Sequence, residues 1–364
     1  MNTESDGTTS QTRRSSLASI IDPPIICASA PFDDLRGDII LRTSDNVDFQ
    51  VFRIILDLAS PVFKDMLSIP QPPLQDEGTG GTPVVTISES STAIDIILRF
   101  CYPIVQPQFD CDNMSIIAEV LHAATKYDIH AAIIPARAAL RARAEESNEN
   151  ALAAYAIACS LKLEEEARAA AMAYLKWPAL SVTVPELASL PALDYHNLLD
   201  FHRRVCKAVG SLLDQGDFLR DAFSTKGLIR FSFLSHECSH ETRIKFDRYA
   251  SGYTYDWWSS SKLTFKDALN TTPLDFDKIS LLAIAPNLEN LSCVKCRDNI
   301  FRKWEKTRSK LVAAIKEEVA KVSSSRRYAA SRCNILIFHL IIRWSSFYHG
   351  NEGLLHITIS RTSD

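Results

Sequence analysis

The sequence holds no apolar run long enough to cross a bilayer. Its longest aliphatic stretch, Ile335 to Ile342 in "NILIFHLIIRW", falls far short of the roughly 20 residues a membrane helix needs, so no membrane span is expected. An excess of charge of either sign is also missing. With a formal net charge of -4 over 364 residues, nothing draws the whole chain toward nucleic acid or an anionic membrane, and such binding would need a local patch. The first residues, "MNTESDGTTSQTRRSS", lack the apolar centre of a secretory signal. Together with nine scattered cysteines, this places the chain in a reducing compartment, cytoplasm or nucleus. The glycine cluster "EGTGGTP" has neither the Lys-Ser/Thr pair nor the strand-to-helix setting of a phosphate loop. No nucleophile, base and oxyanion set emerges, so no enzyme is expected, and there is no solenoid repeat.

What is present suffices for real cores: 46% hydrophobic and 23% charged residues, at a length that suggests two or three domains. Residues 1 to about 30, rich in Ser, Thr and Pro, read as a flexible arm. In "DIILRTSDNVDFQVFRIILDLASPVFKDML", Ile39 and Leu41 precede a Ser44-Asp45-Asn46 turn. Val47, Phe49 and Val51 then alternate with polar residues, which predicts a hairpin. Ile54, Ile55 and Leu58 can share one side of a short helix. Ser60-Pro61 restarts the chain as N-cap and first helical residue, with Phe63, Met66 and Leu67 as the second helix's stripe.

The segment "SIPQPPLQDEGTGGTP" carries four prolines and three glycines and reads as a loop. Val84 to Ile87 is a third strand. A Ser-rich cap opens a helix on Ile94, Ile97, Leu98 and Cys101 that Pro103 ends. Asp112-Asn113 caps another, with Ile117, Val120, Leu121 and Ala124 on one face. Ile129 to about Ala144 is helical, with Pro135 near its start or at a kink. Residues 148 to 176 predict an Ala-rich helical hairpin whose second helix opens on acidic residues, as the helix dipole favours. Trp177-Pro178 closes it, and a helix around "PALDYHNLLDFHRRVCKAVGSLL" follows. Beyond Asp214 the composition turns aromatic and poorly periodic until a strong helix from about Asp298 to Val322.

This order of elements resembles the BTB/POZ domain, in the version found in many fungal BTB-domain proteins. The resemblance rests on the stretch 38–67 quoted above and on "RFCYPIVQP", "VLHAATKYDIHAA", "YAIACSLKLEEEARAAA" and "ALDYHNLLDFHRRVC", and it covers roughly residues 32 to 207. It implies an α+β fold, a small three-stranded sheet capped by short helices, followed by an α-helical extension and a smaller, mainly helical C-terminal module. One departure is Phe52-Arg53, where the second strand of the family commonly leads into a His-Lys pair. The resemblance also implies protein partners, self-pairing through the stretch near residues 32 to 67, and in some relatives recruitment of a cullin-type ubiquitin ligase scaffold.

"FLSHECSHE" and "LSCVKCRDN" bring together residue types that bind zinc, because a C-x-x-C knuckle supplies two thiolates at a spacing that faces one ion. The candidate set is Cys238, Cys293 and Cys296 with His236 or, as alternative, His240. The fungal relatives carry paired cysteines in both places, whereas Ser235 breaks the first pair here. The competing reading is that Cys293 and Cys296 pack at a helix approach as small hydrophobes.

The following helix has seven basic residues between Lys295 and Lys310 against two acidic ones. Its stripe of Ile300, Trp304, Leu311, Ile315, Val319 and Val322 favours core packing over a nucleic-acid surface. His196 and His202, near Asp194 and Asp200, read as structural for want of a nucleophile.

The expected organisation is therefore an arm (1–31), a BTB domain (32–146), a helical extension (147–212), a C-terminal module held by zinc or by packing (213–322), and a tail (323–364). That tail is a genuine final element or translated intron. The expected function is a non-enzymatic adaptor. The alternative is a transcriptional or chromatin regulator whose C-terminal zinc module touches DNA or a partner.

Overall fold

A computed structural model describes residues 24–69, 81–104, 113–215, 244–247, 252–288 and 293–324. The expected arm up to residue 23, the loop at 70–80, and His236, Cys238, His240 and the tail from 325 lie outside the described residues. The chain forms two compact units, one from Met1–Gln108 and Glu119–Ile133, the other from Phe109–Ala118 and Ile134–Asp364.

The first unit is built on a mixed sheet of strands β1 (Ile26–Cys27), β2 (Ile39–Arg42), β3 (Val47–Val51) and β4 (Val84–Thr86), in the order β1-β3-β2-β4. The β2–β3 hairpin is as expected, with Leu41 facing Phe49. Its turn works because Asn46 takes a left-handed φ of 60°, a conformation Asn tolerates. Thr43 Oγ1 also accepts from the Val47 amide at 3.1 Å. The sheet has four strands where the sequence suggested three. The extra one, β1, runs parallel to β3 through Ile26 opposite Val47. Two exposed residues carry no alternation for a periodicity argument to detect.

Burial also departs from simple alternation. Ile39, Ile40 and Leu41 are all buried, because β2 is central and covered on both faces. Asp48, polar in the sequence pattern, is buried as well. It meets Arg42 across the ladder through two hydrogen bonds of 2.7 and 3.0 Å.

Two short helices follow, α1 (Arg53–Ala59) and α2 (Pro61–Ser68). Ser60 serves both, as the sequence predicted for the second. Its amide closes α1 on the Leu56 carbonyl at 2.9 Å, and its hydroxyl caps α2 by accepting from the Phe63 amide at 3.0 Å. The same hydroxyl donates to the Tyr127 carbonyl, so a buried side chain ties positions 67 residues apart. Phe63 stacks on the Tyr127 ring at 4.4 Å.

After β4 comes α3 (Ser91–Cys101), capped by Ser90 and burying Ile94, Ile97 and Leu98. Helices α4 (Met114–Lys126) and α5 (His130–Ala144) contribute residues to both units. Pro135 sits inside α5. At the end of the first unit's polar core, Glu89 accepts from Tyr127 Oη at 2.7 Å and Lys126 Nζ at 2.7 Å. Burial alone would raise its pKa, but these hydrogen bonds and the Lys126 charge outweigh it and hold the carboxyl below its ordinary value.

In the second unit, α6 (Asn148–Ser160) and α7 (Glu164–Tyr174) form the expected hairpin. Every side chain from Ala151 to Ala158 is buried, which small residues permit because the neighbouring backbone approaches closely. Lys162, at φ 57°, ends α6, and the Leu163 amide reaches back to the Ala158 carbonyl at 2.8 Å, a Schellman-type stop. Glu166, buried in the first turn of α7, is clamped by Arg137 (2.8 and 2.9 Å) and Arg141 (2.6 Å).

Helix α8 (Ala192–Gln215) packs against α9 (Asp256–Leu269) and α11 (Val294–Ser324). Between the last two lies the short α10 (Leu281–Leu288), and ahead of α9 runs an antiparallel pair, β5 (Ile244–Asp247) with β6 (Gly252–Tyr255).

Candidate interaction surface

The core of the first unit selects a different side of α1 from the one the sequence suggested. Leu56 is fully buried, whereas Ile54 and Leu58 stand 63% and 83% exposed. Spaced four apart, they share one face. Leu35 adds a third large apolar side chain, 87% exposed, on a turn in which the Gly37 amide bonds to the Asp34 carbonyl at 2.9 Å. Asp34 also accepts from the Arg36 amide and guanidinium at 2.6 to 3.1 Å, and the Arg36 side chain lowers the Asp34 carboxyl to about 2. Gly37 is required by close approach: a Cβ there would lie 2.9 Å from the Val51 amide nitrogen.

The start of α1 is fixed by side chains from elsewhere. The Phe52 amide donates to Tyr102 Oη at 3.0 Å and the Arg53 amide to Asp38 Oδ1 at 2.7 Å. The Arg53 guanidinium donates to the Leu67 carbonyl at the end of α2, where a cation is favourable. Phe52-Arg53, the departure noted in the sequence, thus has defined work here: it anchors α1 and joins the two helices. The result is a rigidly held helix that shows apolar side chains to solvent, a surface able to exclude water against a partner and without a chemical group to react.

The residues singled out for chemistry behave differently. The carbonyl of Cys293 accepts from the Arg297 amide at 3.1 Å, so Cys293 sits at the entry of α11 with Cys296 in its first turn. The three other candidate zinc ligands, His236, Cys238 and His240, lie outside the described residues. His202 is buried on α8, with Nε2 3.1 Å from the Trp177 carbonyl and Nδ1 3.4 Å from Cys206 Sγ. His196 is exposed, and Asp200 is paired with Arg203 and Arg204 at 2.5 and 2.9 Å.

Along α11 the stripe of Ile300, Trp304, Leu311, Ile315 and Val319 is buried, with Phe265 against Trp304 at 5.7 Å; Val322 is half-buried. Beside this stripe Arg308 donates to the Phe276 carbonyl at 3.1 Å, and on the solvent side Lys321 pairs with Glu317 at 2.9 Å. The core reading of this helix holds for these residues.

Sequence reasoning missed the buried roles of Asp48, Glu89 and Glu166. Glu166 is one of three glutamates opening α7, a placement the helix dipole already accounts for, so it did not signal the clamp. Among the described residues no helix is long and apolar enough to cross a membrane. No curated protein matches the chain. Residues 32–143, which hold the sheet from β2 onward, both anchored short helices and most of α5, match the family model of the BTB/POZ domain, and that stretch of the chain is a BTB/POZ domain.

Proposed function

We propose that this chain is an adaptor whose BTB/POZ domain associates with a second copy of itself through the exposed face of α1. The domain type makes it a protein-protein interaction module. The observation that carries the finer reading is the solvent exposure of Ile54 and Leu58 on a helix held at its start by Arg53 and at its end by Ser60. Apolar side chains held rigid lose little further entropy on docking, which favours association. In this reading the remaining surface recruits other proteins, a cullin-type scaffold among them, inside the cell. Cys27, Cys101 and Cys206 being in no disulfide agrees with a reducing compartment.

The test is light scattering on the full chain at micromolar concentration. Wild type is expected to run as a dimer and the Ile54→Glu/Leu58→Glu variant as a monomer of unchanged helicity. A wild-type monomer removes the self-association reading, and a titration with purified cullin scaffold then decides whether the domain recruits one.

A structural zinc ion held by Cys293, Cys296, Cys238 and either His236 or His240 belongs to the same proposal. Its support is the C-x-x-C spacing of Cys293 and Cys296 at the start of α11, residue types and a spacing that suit zinc. Metal analysis of the purified chain is expected to give one zinc per chain, lost in Cys293→Ser/Cys296→Ser. Metal-free protein with the same thermal stability contradicts it.

A further inference from the structure

Beyond its interaction surface, the molecule contains a buried imidazole whose two nitrogens are both committed. We infer that His202 is a proton-sensitive latch: as the neutral ring it fastens the loop 177–181 to α8, and on protonation it lets that loop go.

The tautomer follows from the partners. A carbonyl only accepts, so His202 Nε2, 3.1 Å from the Trp177 oxygen, carries the proton. Nδ1 then holds a lone pair toward Cys206 Sγ at 3.4 Å, and the thiol donates. Tyr174 covers the ring edge-on with centroids 5.8 Å apart. The loop it secures is otherwise held by a handful of hydrogen bonds: the Trp177 amide donates to the Tyr174 carbonyl at 3.2 Å, and the Pro178 carbonyl accepts from Ser181 Oγ at 2.9 Å and Asn148 Nδ2 at 3.5 Å. The Leu180 amide donates to Tyr174 Oη at 3.1 Å, and Ser181 Oγ accepts from Asn148 Nδ2 at 2.6 Å. Leu180 itself sits at φ 63° with its side chain 66% exposed, a left-handed conformation that strains a non-glycine residue. The loop is therefore strained and held against that strain by a small set of hydrogen bonds.

Protonating Nδ1 removes the acceptor the Cys206 thiol uses, leaves the new N–H only a weak sulfur acceptor, and places a charge in a site that is 5% exposed. The titratable groups against the ring do not offset it. Burial pushes the Cys206 thiol up to about 11 and raises Tyr174, so both stay neutral from pH 5 to 8. On α8, Arg203 and Arg204 are engaged by Asp200, and Glu318 of α11 shares a groove with Arg204 and Lys207. The cation is relieved by swinging to water, which breaks the Trp177 contact.

Burial lowers the His202 pKa from its ordinary 6.5, against the opposing pull of the Trp177 carbonyl. A depressed folded value means the latch is closed above that ordinary pKa and opens as pH falls below it.

Amide hydrogen exchange on the full chain tests this, with rates corrected for the intrinsic effect of pH. Protection of the Trp177 and Leu180 amides is expected to fall severalfold from pH 7.5 to 5.5, because the ring is neutral at the first pH and protonates more readily in the open loop at the second. In His202→Gln, whose side-chain amide still reaches the carbonyl but does not titrate, protection is expected to be independent of pH. Equal loss in both proteins, or no loss in wild type, overturns the inference. Should His202→Gln not fold, ring nitrogen shifts of the wild type decide: protonation of His202 must track the loss of protection at Leu180, and loss while the ring stays neutral contradicts the latch.

Discussion

The two units reach stability by different means. In the first, buried polar contacts join groups far apart in sequence, Ser60 to Tyr127 and Glu89 to Tyr127 and Lys126, and Arg42 to Asp48 across the hairpin. In the second, α6 buries eight consecutive small or apolar side chains, and close fit leads, with polar ties such as the Glu166 clamp and the His202 contacts beside it. Directional bonds fix a sheet and two short helices that could otherwise pack in several registers. An all-round buried helix needs only volume. The first unit should therefore suffer most from truncation and lost partners, and the second from added bulk.

The largest effect is expected for Phe63→Ala, which empties the stack on Tyr127 and should cost about 3–5 kcal/mol, read by chemical denaturation. Ala156→Leu in α6, harmless on an exposed helix, should cost about 1–3 kcal/mol by overpacking. A cost near zero would show that the second unit is loosely packed and would remove the contrast. Ser60→Ala should lose about 1–2 kcal/mol, from the cap and from the orphaned Tyr127 carbonyl.

Acid sharpens the comparison further. Because the Glu89 carboxyl is held below its ordinary 4.5, its contribution is present above that value and lost as pH falls through the lowered one. The melting temperature of Glu89→Gln should accordingly change less than that of wild type between pH 5 and 3. Smallest of all, Leu58→Glu should change the stability of the isolated chain by less than about 0.5 kcal/mol, leaving association as its only large readout.

Much of the first unit was legible in the sequence for local reasons. Asn46 marks a turn, Ser60-Pro61 marks a helix restart, and Ser90 opens α3, because each solves a backbone problem within four residues. The face of α1 was not legible. Seven residues make two turns, so Ile54 with Leu58 and Leu56 on the other side offer equally good stripes, and only the direction in which β3 exits decides between them. The same holds for Asp48, which alternation places outside until Arg42 is found opposite, and for β1, whose partner lies 21 residues away at Val47. In the second unit the helical stretch of α8 and the long stripe of α11 were legible in the sequence. The Glu166 clamp was not, since acidic residues at a helix start already have a dipole explanation.

The account's central claim is that α1 of the BTB/POZ domain is where a second copy docks. Methyl spectra of Ile- and Leu-labelled full chain, followed by serial dilution, test it most directly. The signals of Ile54, Leu58 and Leu35 should move with concentration while those of buried Ile39 and Leu41 stay fixed. Constant signals at Ile54 and Leu58, with movement instead at exposed Leu263 or Leu282 of the second unit, would contradict it.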